Sequence, residues 1–171
     1  LAGYKQLVKA YKEGKIRTIE ISNFEGKYLD EILSVAEIKP QVLQAERHPY
    51  YIGKDVQDTL KANDIKVMSW YPLGHGDANL INEPIFKEIG SKYGKSPVQV
   101  ILRWHTQMGF IVIPGTKNVE HIKDNYDISD FELTEEEMEQ ISKIDTEKRY
   151  YHATEENLKF YASMNLDYEK E

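Results

Sequence analysis

The chain has 171 residues, 40% of them hydrophobic and 30% charged, with a formal net charge of -7. That balance describes a folded globular domain, and a pI near 5.3 argues against nucleic acid or an anionic membrane surface as its main partner. The absence of cysteine excludes disulfides and thiolate chemistry and fits a cytoplasmic protein. The sequence shows no signal-peptide pattern and no apolar run of membrane-spanning length.

In chain order, Tyr4, Leu7, Val8 and Tyr11 recur at helical spacing, and Gly14 stops that helix. The β-branched run Ile16–Ile21 predicts a strand, with Ser22 and Asn23 delivered at its carboxyl edge. Tyr28, Leu29, Ile32, Leu33 and Ala36 make the apolar stripe of a second helix, ended near Pro40. Val42–Ala45 reads as the next strand. Asp55 is expected to cap a short helix carrying Val56 and Leu60, before a third strand over Lys66–Tyr71. The stretch 72–84, with Gly74 and Gly76, has the length and turn residues of a functional loop. Ile85, Phe86, Ile89 and Tyr93 mark a helix. Ser96, Pro97 and Gln99 open the next one with a capping box, placing Val98, Ile101, Leu102 and His105 on one face. Phe110–Ile113 is the fourth strand, followed by a short helix over 119–125. Thr134 and Glu137 form a second capping box ahead of Met138, Ile141 and Ile144. The remainder, 147–171, is Tyr-rich and acidic and reads as a helical tail.

Strand followed by helix, four times over, predicts a parallel α/β fold. The expectation is a single partial domain over 1–171: four parallel strand–helix units over 1–145 and a tail over 146–171. Four units are half of a (β/α)8 TIM barrel, whose full length is about 250 residues. Alone they leave two open sheet edges. Either another half covers them, or the half-barrel self-associates as a homodimer through an inner face with Ile19, Ile21, Val67 and Ile113 as candidate members.

The carboxyl ends of the four strands carry the chemistry. Ser22, Asn23 and Gln44 offer the hydroxyl and amide groups that orient a neutral carboxamide. Trp70 and Tyr71 offer flat faces for a heteroaromatic ring. Gly115 and Thr116, just before a helix start at Asn118, suit a phosphate. The segments GKIRTIEISNF, KPQVLQAERHPY, SWYPLGHG, SPVQVILRW and VIPGTKNVEHIKDNYDI together resemble the aldo-keto reductases. The resemblance covers roughly residues 1–145 and corresponds to that family's last four strand–helix units.

That resemblance implies an NADP-dependent oxidoreductase transferring hydride between a nicotinamide cofactor and an aldehyde or ketone. It assigns Ser22, Asn23 and Gln44 to the nicotinamide carboxamide and Trp70 to stacking on its ring. Leu73 and Gly74 fall to the pyrophosphate, and the stretch Gly115–Asn125, with Thr116, Lys117, His121 and Asp124, to the adenosine 2′-phosphate and adenine. Many members have Lys-Ser after Ile-Pro and an Arg five residues beyond that Ser, whereas here Gly115, Thr116 and His121 stand there. Lys117 restores one cation from a shifted place. NADP is favoured, with NAD as the alternative. Glu20 stands where most relatives have a small residue, and nothing in the sequence accounts for it.

The family's proton-donating Tyr and its Lys, Asp and His partners lie in the first half of the barrel, and no segment here matches them. The implied site therefore has no catalytic residue in this chain, which alone is expected to be inactive. His48 and Tyr50 fit a structural motif better than an acid pair. The histidines are scattered, so no metal site is expected, and His105 on an apolar face reads as a packing residue. The runner-up function is a non-catalytic, self-associating half-barrel serving as a binding or structural module.

Overall fold

The computed structural model describes residues 2–152 and 154–164. Four strands form one sheet in consecutive order: β1 (Glu20–Ser22), β2 (Val42–Glu46), β3 (Lys66–Trp70) and β4 (Ile111–Val112). Every pairing is parallel, which obliges each connection to cross over the sheet through a helix. Helix α1 (Ala2–Lys12) precedes the sheet, and α2 (Lys27–Val35) and α3 (Lys54–Ala62) make the first two crossovers. The third runs through α4 (Ala78–Ile81), α5 (Pro84–Tyr93) and α6 (Pro97–Gln107). After β4 come α7 (Val119–Tyr126), α8 (Glu135–Ser142) and α9 (Glu155–Ser163). The expected architecture is present: α/β, with half of the eight parallel strands that close a (β/α)8 barrel. Of the tail read over 146–171, α9 is helical, while Ala153 and residues 165–171 lie outside the described residues.

Local hydrogen bonding explains where the elements depart from the expected boundaries. β1 begins at Glu20 rather than Ile16, because the Ile19 N–H goes to the Gln41 side chain (2.7 Å) instead of a ladder partner. The helix expected to start at Asp55 starts at Lys54 with Gly53 as its cap, and Asp55 sits in the first turn, where its charge suits the helix dipole. The stretch 72–84 is ordered, with one 3-10 turn over Gly74–Gly76 and then α4. Asp77 caps α4 by accepting the Asn79 N–H (2.8 Å). Both predicted capping boxes form, at Ser96 and at Thr134.

Alternation along the strands sorts the side chains onto two faces. Ile21, Leu43, Ala45 and Val67 pack with Leu29, Val56, Leu60 and Ile65 under the helices. A second cluster, with Phe86, Ile89, Val100, Ile101, Trp104 and Ile141, fills the space among α4, α5, α6 and α8. Burying each such side chain contributes roughly 1.5–3 kcal/mol. The inner-face assignment of Ile19, Ile21 and Val67 is therefore wrong: all three are buried, and Ile21 and Val67 belong to the helix-covered cluster. Ile113 is exposed, as expected. The face without helices carries Glu20, Val42 and Lys66 in one cross-strand row, and Ser22, Gln44, Met68 and Ile111 in the next. Glu20 is thus an exposed residue of the uncovered face.

Candidate functional site

The carboxyl ends of the strands converge as parallel strands must, and the amide-bearing residues meet there. Ser22 closes β1 directly opposite Gln44 on β2. The Gln44 amide donates to the Met68 sulfur (3.3 Å), a weak acceptor that a better partner can displace. Asn23 turns off the strand at φ 59°, a left-handed conformation that Asn tolerates. Its N–H donates to the Gln44 carbonyl (2.9 Å), and its Oδ1 accepts the Trp70 indole N–H (3.0 Å). With that oxygen engaged, the Asn23 NH2 group is the part left to orient a ligand. Trp70 itself meets Tyr71 edge-on, with ring centroids 4.5 Å apart.

Trp70 forms one end of a cleft of about 500 Å³, lined also by Tyr71, Leu73, His75, Ile113 and Gly115. A second cleft of about 320 Å³ is lined by Leu73, Gly115, Thr116, His121, Asp124 and Asn125, and also by Ser96 and Val98. Both clefts include Leu73 and Gly115, so they are two lobes of one groove. His121, Asp124 and Asn125 share a face of α7 at spacings of three and four residues. Asn118 caps that helix by accepting the Glu120 N–H (2.9 Å), and the Thr116 hydroxyl oxygen accepts the Asn118 N–H (3.1 Å). Lys117 is exposed at the same helix start. Gly74 is buried beside Leu73, beneath the ring of Tyr150.

His48 and Tyr50 do not form an acid pair. The His48 ring is fully buried, with Nε2 3.1 Å from Glu46 Oε1. The Tyr50 hydroxyl donates to Glu83, and burial together with that carboxylate pushes its pKa up to about 12. His105 is the packing residue expected, with its two nitrogens facing the Ile101 and Arg47 carbonyls. In the tail, Tyr150 and Tyr151 are tucked against the sheet end, while Phe160 is exposed.

Sequence reasoning missed the charged network behind the groove. Glu46 and Arg47 are fully buried; Arg47 pairs with Glu25 (2.6 Å), and Arg149 reaches Glu25 (3.1 Å) and Glu46 (3.6 Å). Burial alone would raise the Glu46 pKa, but hydrogen bonds from His48 and from the Tyr150 and Tyr151 backbone hold it below the ordinary carboxylate value. Asp77 accepts from the Tyr150 hydroxyl (2.6 Å) and Lys148 (2.9 Å), and both hold its carboxyl well below the usual range. A carboxylate closing the apolar strand VLQAE was the one signal available; nothing in the tail sequence points back to it.

Comparison with known proteins matches this architecture to one family. The sequence pattern of the aldo/keto reductase family matches residues 1–146. The chain is 41% identical over 146 residues to the glyoxal reductase of Bacillus subtilis, covering 85% of this chain and 52% of that protein. It superposes with a TM-score of 0.83 and 31% identity on MGS-M4, an aldo-keto reductase enzyme from a deep-sea metagenome library, covering 87% of this chain and 55% of that one. A mutant of Gox0644 in complex with NADPH superposes with a TM-score of 0.78 at 33% identity, covering 83% of this chain and 52% of that one. The chain spans about half the length of the curated relatives it matches. Strand order, groove and sequence pattern agree, and the chain belongs to the aldo/keto reductase family.

Proposed function

We propose that this chain holds the cofactor half of an NADP-dependent reductase acting on small aldehydes or ketones, while the proton donor comes from strands outside it. The observation that carries this reading is the two-lobed groove joined at Leu73 and Gly115, with an indole at one end and the start of α7 at the other. Its two lobes and their lining chemistry fit a dinucleotide. Ser22, Asn23 and Gln44 hold the nicotinamide carboxamide, and Trp70 stacks on the ring. Leu73 and Gly74 line the pyrophosphate. Gly115, Thr116, Lys117, His121, Asp124 and Asn125 take the adenosine phosphate and adenine. The bound cofactor supplies the hydride; the protein orients it and excludes water.

The acid pair weighed from the sequence is committed elsewhere, Tyr50 to Glu83 and His48 to Glu46. Exposed Val119, Ile122 and Tyr126 along α7 support a further layer of protein over this half. The same bare surfaces would also accept a second copy, which a monodisperse dimer in solution would favour. No helix of the described residues is long and apolar enough to cross a membrane. The cysteine-free sequence suits the cytoplasm, where we place it.

Titrating NADPH and NADH against tryptophan emission tests the reading. NADPH quenches the wild type more than NADH does, and Trp70→Ala, followed by the cofactor's own emission because the reporting indole is gone, weakens binding by about tenfold, the scale of one lost aromatic stack. Equal, negligible quenching by both overturns the cofactor assignment. Turnover of NADPH with a simple aldehyde by the 171-residue chain overturns the division of labour.

A further inference from the structure

We propose that Glu46 is a positioning residue for the nicotinamide end of the groove, fixing the strap 149–151 so that Tyr151 braces Trp70. The inference rests on the cofactor reading above. Glu46 closes β2 directly opposite Trp70 in the parallel ladder, and its side chain is fully buried. Its Oε1 accepts the Tyr150 N–H (2.6 Å) and its Oε2 the Tyr151 N–H (3.2 Å). These bonds tie a segment without secondary structure to a strand more than a hundred residues earlier in the chain.

An unpaired buried carboxylate is costly, so its surroundings must supply charge as well as hydrogen bonds. Arg149 does so from the strap itself, bridging Glu46 and Glu25, and Glu25 also holds Arg47. Two guanidinium groups and two carboxylates thus balance one another. Both guanidiniums lie over the Tyr51 ring, Arg47 at 5.1 Å and Arg149 at 4.7 Å from its centroid. The register of the strap is set on both sides of Glu46: the Lys148 N–H donates to the Tyr50 carbonyl (3.1 Å), and the Tyr150 hydroxyl to Asp77.

The consequence falls on Tyr151. Its ring meets Trp70 edge-on, at 5.6 Å between centroids and 77° between planes. Trp70 is then held by three contacts: Tyr71, Tyr151 and the Asn23 amide oxygen. Trp70, assigned to the nicotinamide and bonded to Asn23, is thus braced by a tail residue that Glu46 anchors. A carboxylate without direct contact to the cofactor thereby sets the geometry of its binding face.

Acrylamide quenching in the full 171-residue chain separates positioning from mere stability. Of the two tryptophans, Trp104 is fully buried, so the quencher reads Trp70. Tyr151→Ala raises the quenching constant toward that of a free indole. Glu46→Ala raises it equally although Tyr151 is intact, the double variant adds nothing, and Glu46→Gln, which keeps one acceptor, lies between. Both alanine variants weaken NADPH binding by about tenfold, as the loss of one well-placed contact predicts. Unchanged quenching in a folded Glu46→Ala protein overturns the proposal. So does unchanged quenching in Tyr151→Ala, which decides the matter even if the Glu46 variants do not fold. Failure of the wild type to bind NADPH overturns the cofactor reading instead, and leaves the quenching result standing.

Discussion

Replacing Gly74 by alanine tests the packing of the groove floor, with Gly76 as an internal control. Both glycines have positive φ, +58° and +79°. A β-carbon at Gly76 meets nothing within 4 Å, so Gly76→Ala carries only backbone strain, about 1 kcal/mol. At Gly74 the new carbon would lie 2.7 Å from Leu80 Cδ2 and 2.8 Å from Tyr150 Cε2. Neither neighbour yields easily. Leu80 is fully buried, and the Tyr150 hydroxyl is anchored to Asp77. Overpacking of this kind adds about 2 kcal/mol, for a total of about 3 kcal/mol. With a urea m-value of about 2 kcal/mol/M, the midpoint falls by roughly 1.5 M for Gly74→Ala and roughly 0.5 M for Gly76→Ala. Urea unfolding followed by circular dichroism reads both. Equal losses in the two variants would refute the steric argument and reduce Gly74 to a turn residue.

Two further outcomes follow from charge. Lys117→Ala and His121→Ala are each expected to weaken NADPH binding by about tenfold, the low end for a lost charge-assisted hydrogen bond, while leaving NADH nearly unchanged. Parallel titrations with the two cofactors check this, and equal losses would move the phosphate elsewhere. Burial pushes the His105 pKa down from 6.5 to about 4, against the pull of the two carbonyls that face it. An unfolded histidine binds its proton at higher pH than this one, so the stabilisation is complete above pH 6.5 and shrinks as pH falls toward 4. Between pH 7.5 and 5 the loss is about 2 kcal/mol, and His105→Gln flattens that part of the stability profile. A slope of the opposite sign would show that the carbonyls hold the ring protonated.

The strand–helix alternation was legible because each signal was local. Capping boxes at Ser96 and Thr134, the stripe from Leu29 to Ile32 and the β-branched strands all depend on neighbours within a few residues. The groove was legible for a different reason: parallel strands deliver their carboxyl ends to one edge, so Ser22, Gln44 and Trp70 had to meet. Features that depend on distant partners were not. Ile21 and Val67 could have faced either side of the sheet until the helices chose one. Glu46 looks like any polar strand end until Arg149, far along the chain, is seen against it. The ordering of 72–84 likewise rests on Asp77 being held by Tyr150 and Lys148 from the tail.

Glu20, unexplained in the sequence, acquires a use from its place on the bare face. It shares a cross-strand row with Val42 and Lys66, so opposite charges flank an apolar residue near one open edge. Sheet edges invite indiscriminate strand addition, and charged side chains are what natural edges use to resist it. Any strand or surface that settles there must satisfy both signs at once, or leave a charge stripped of water.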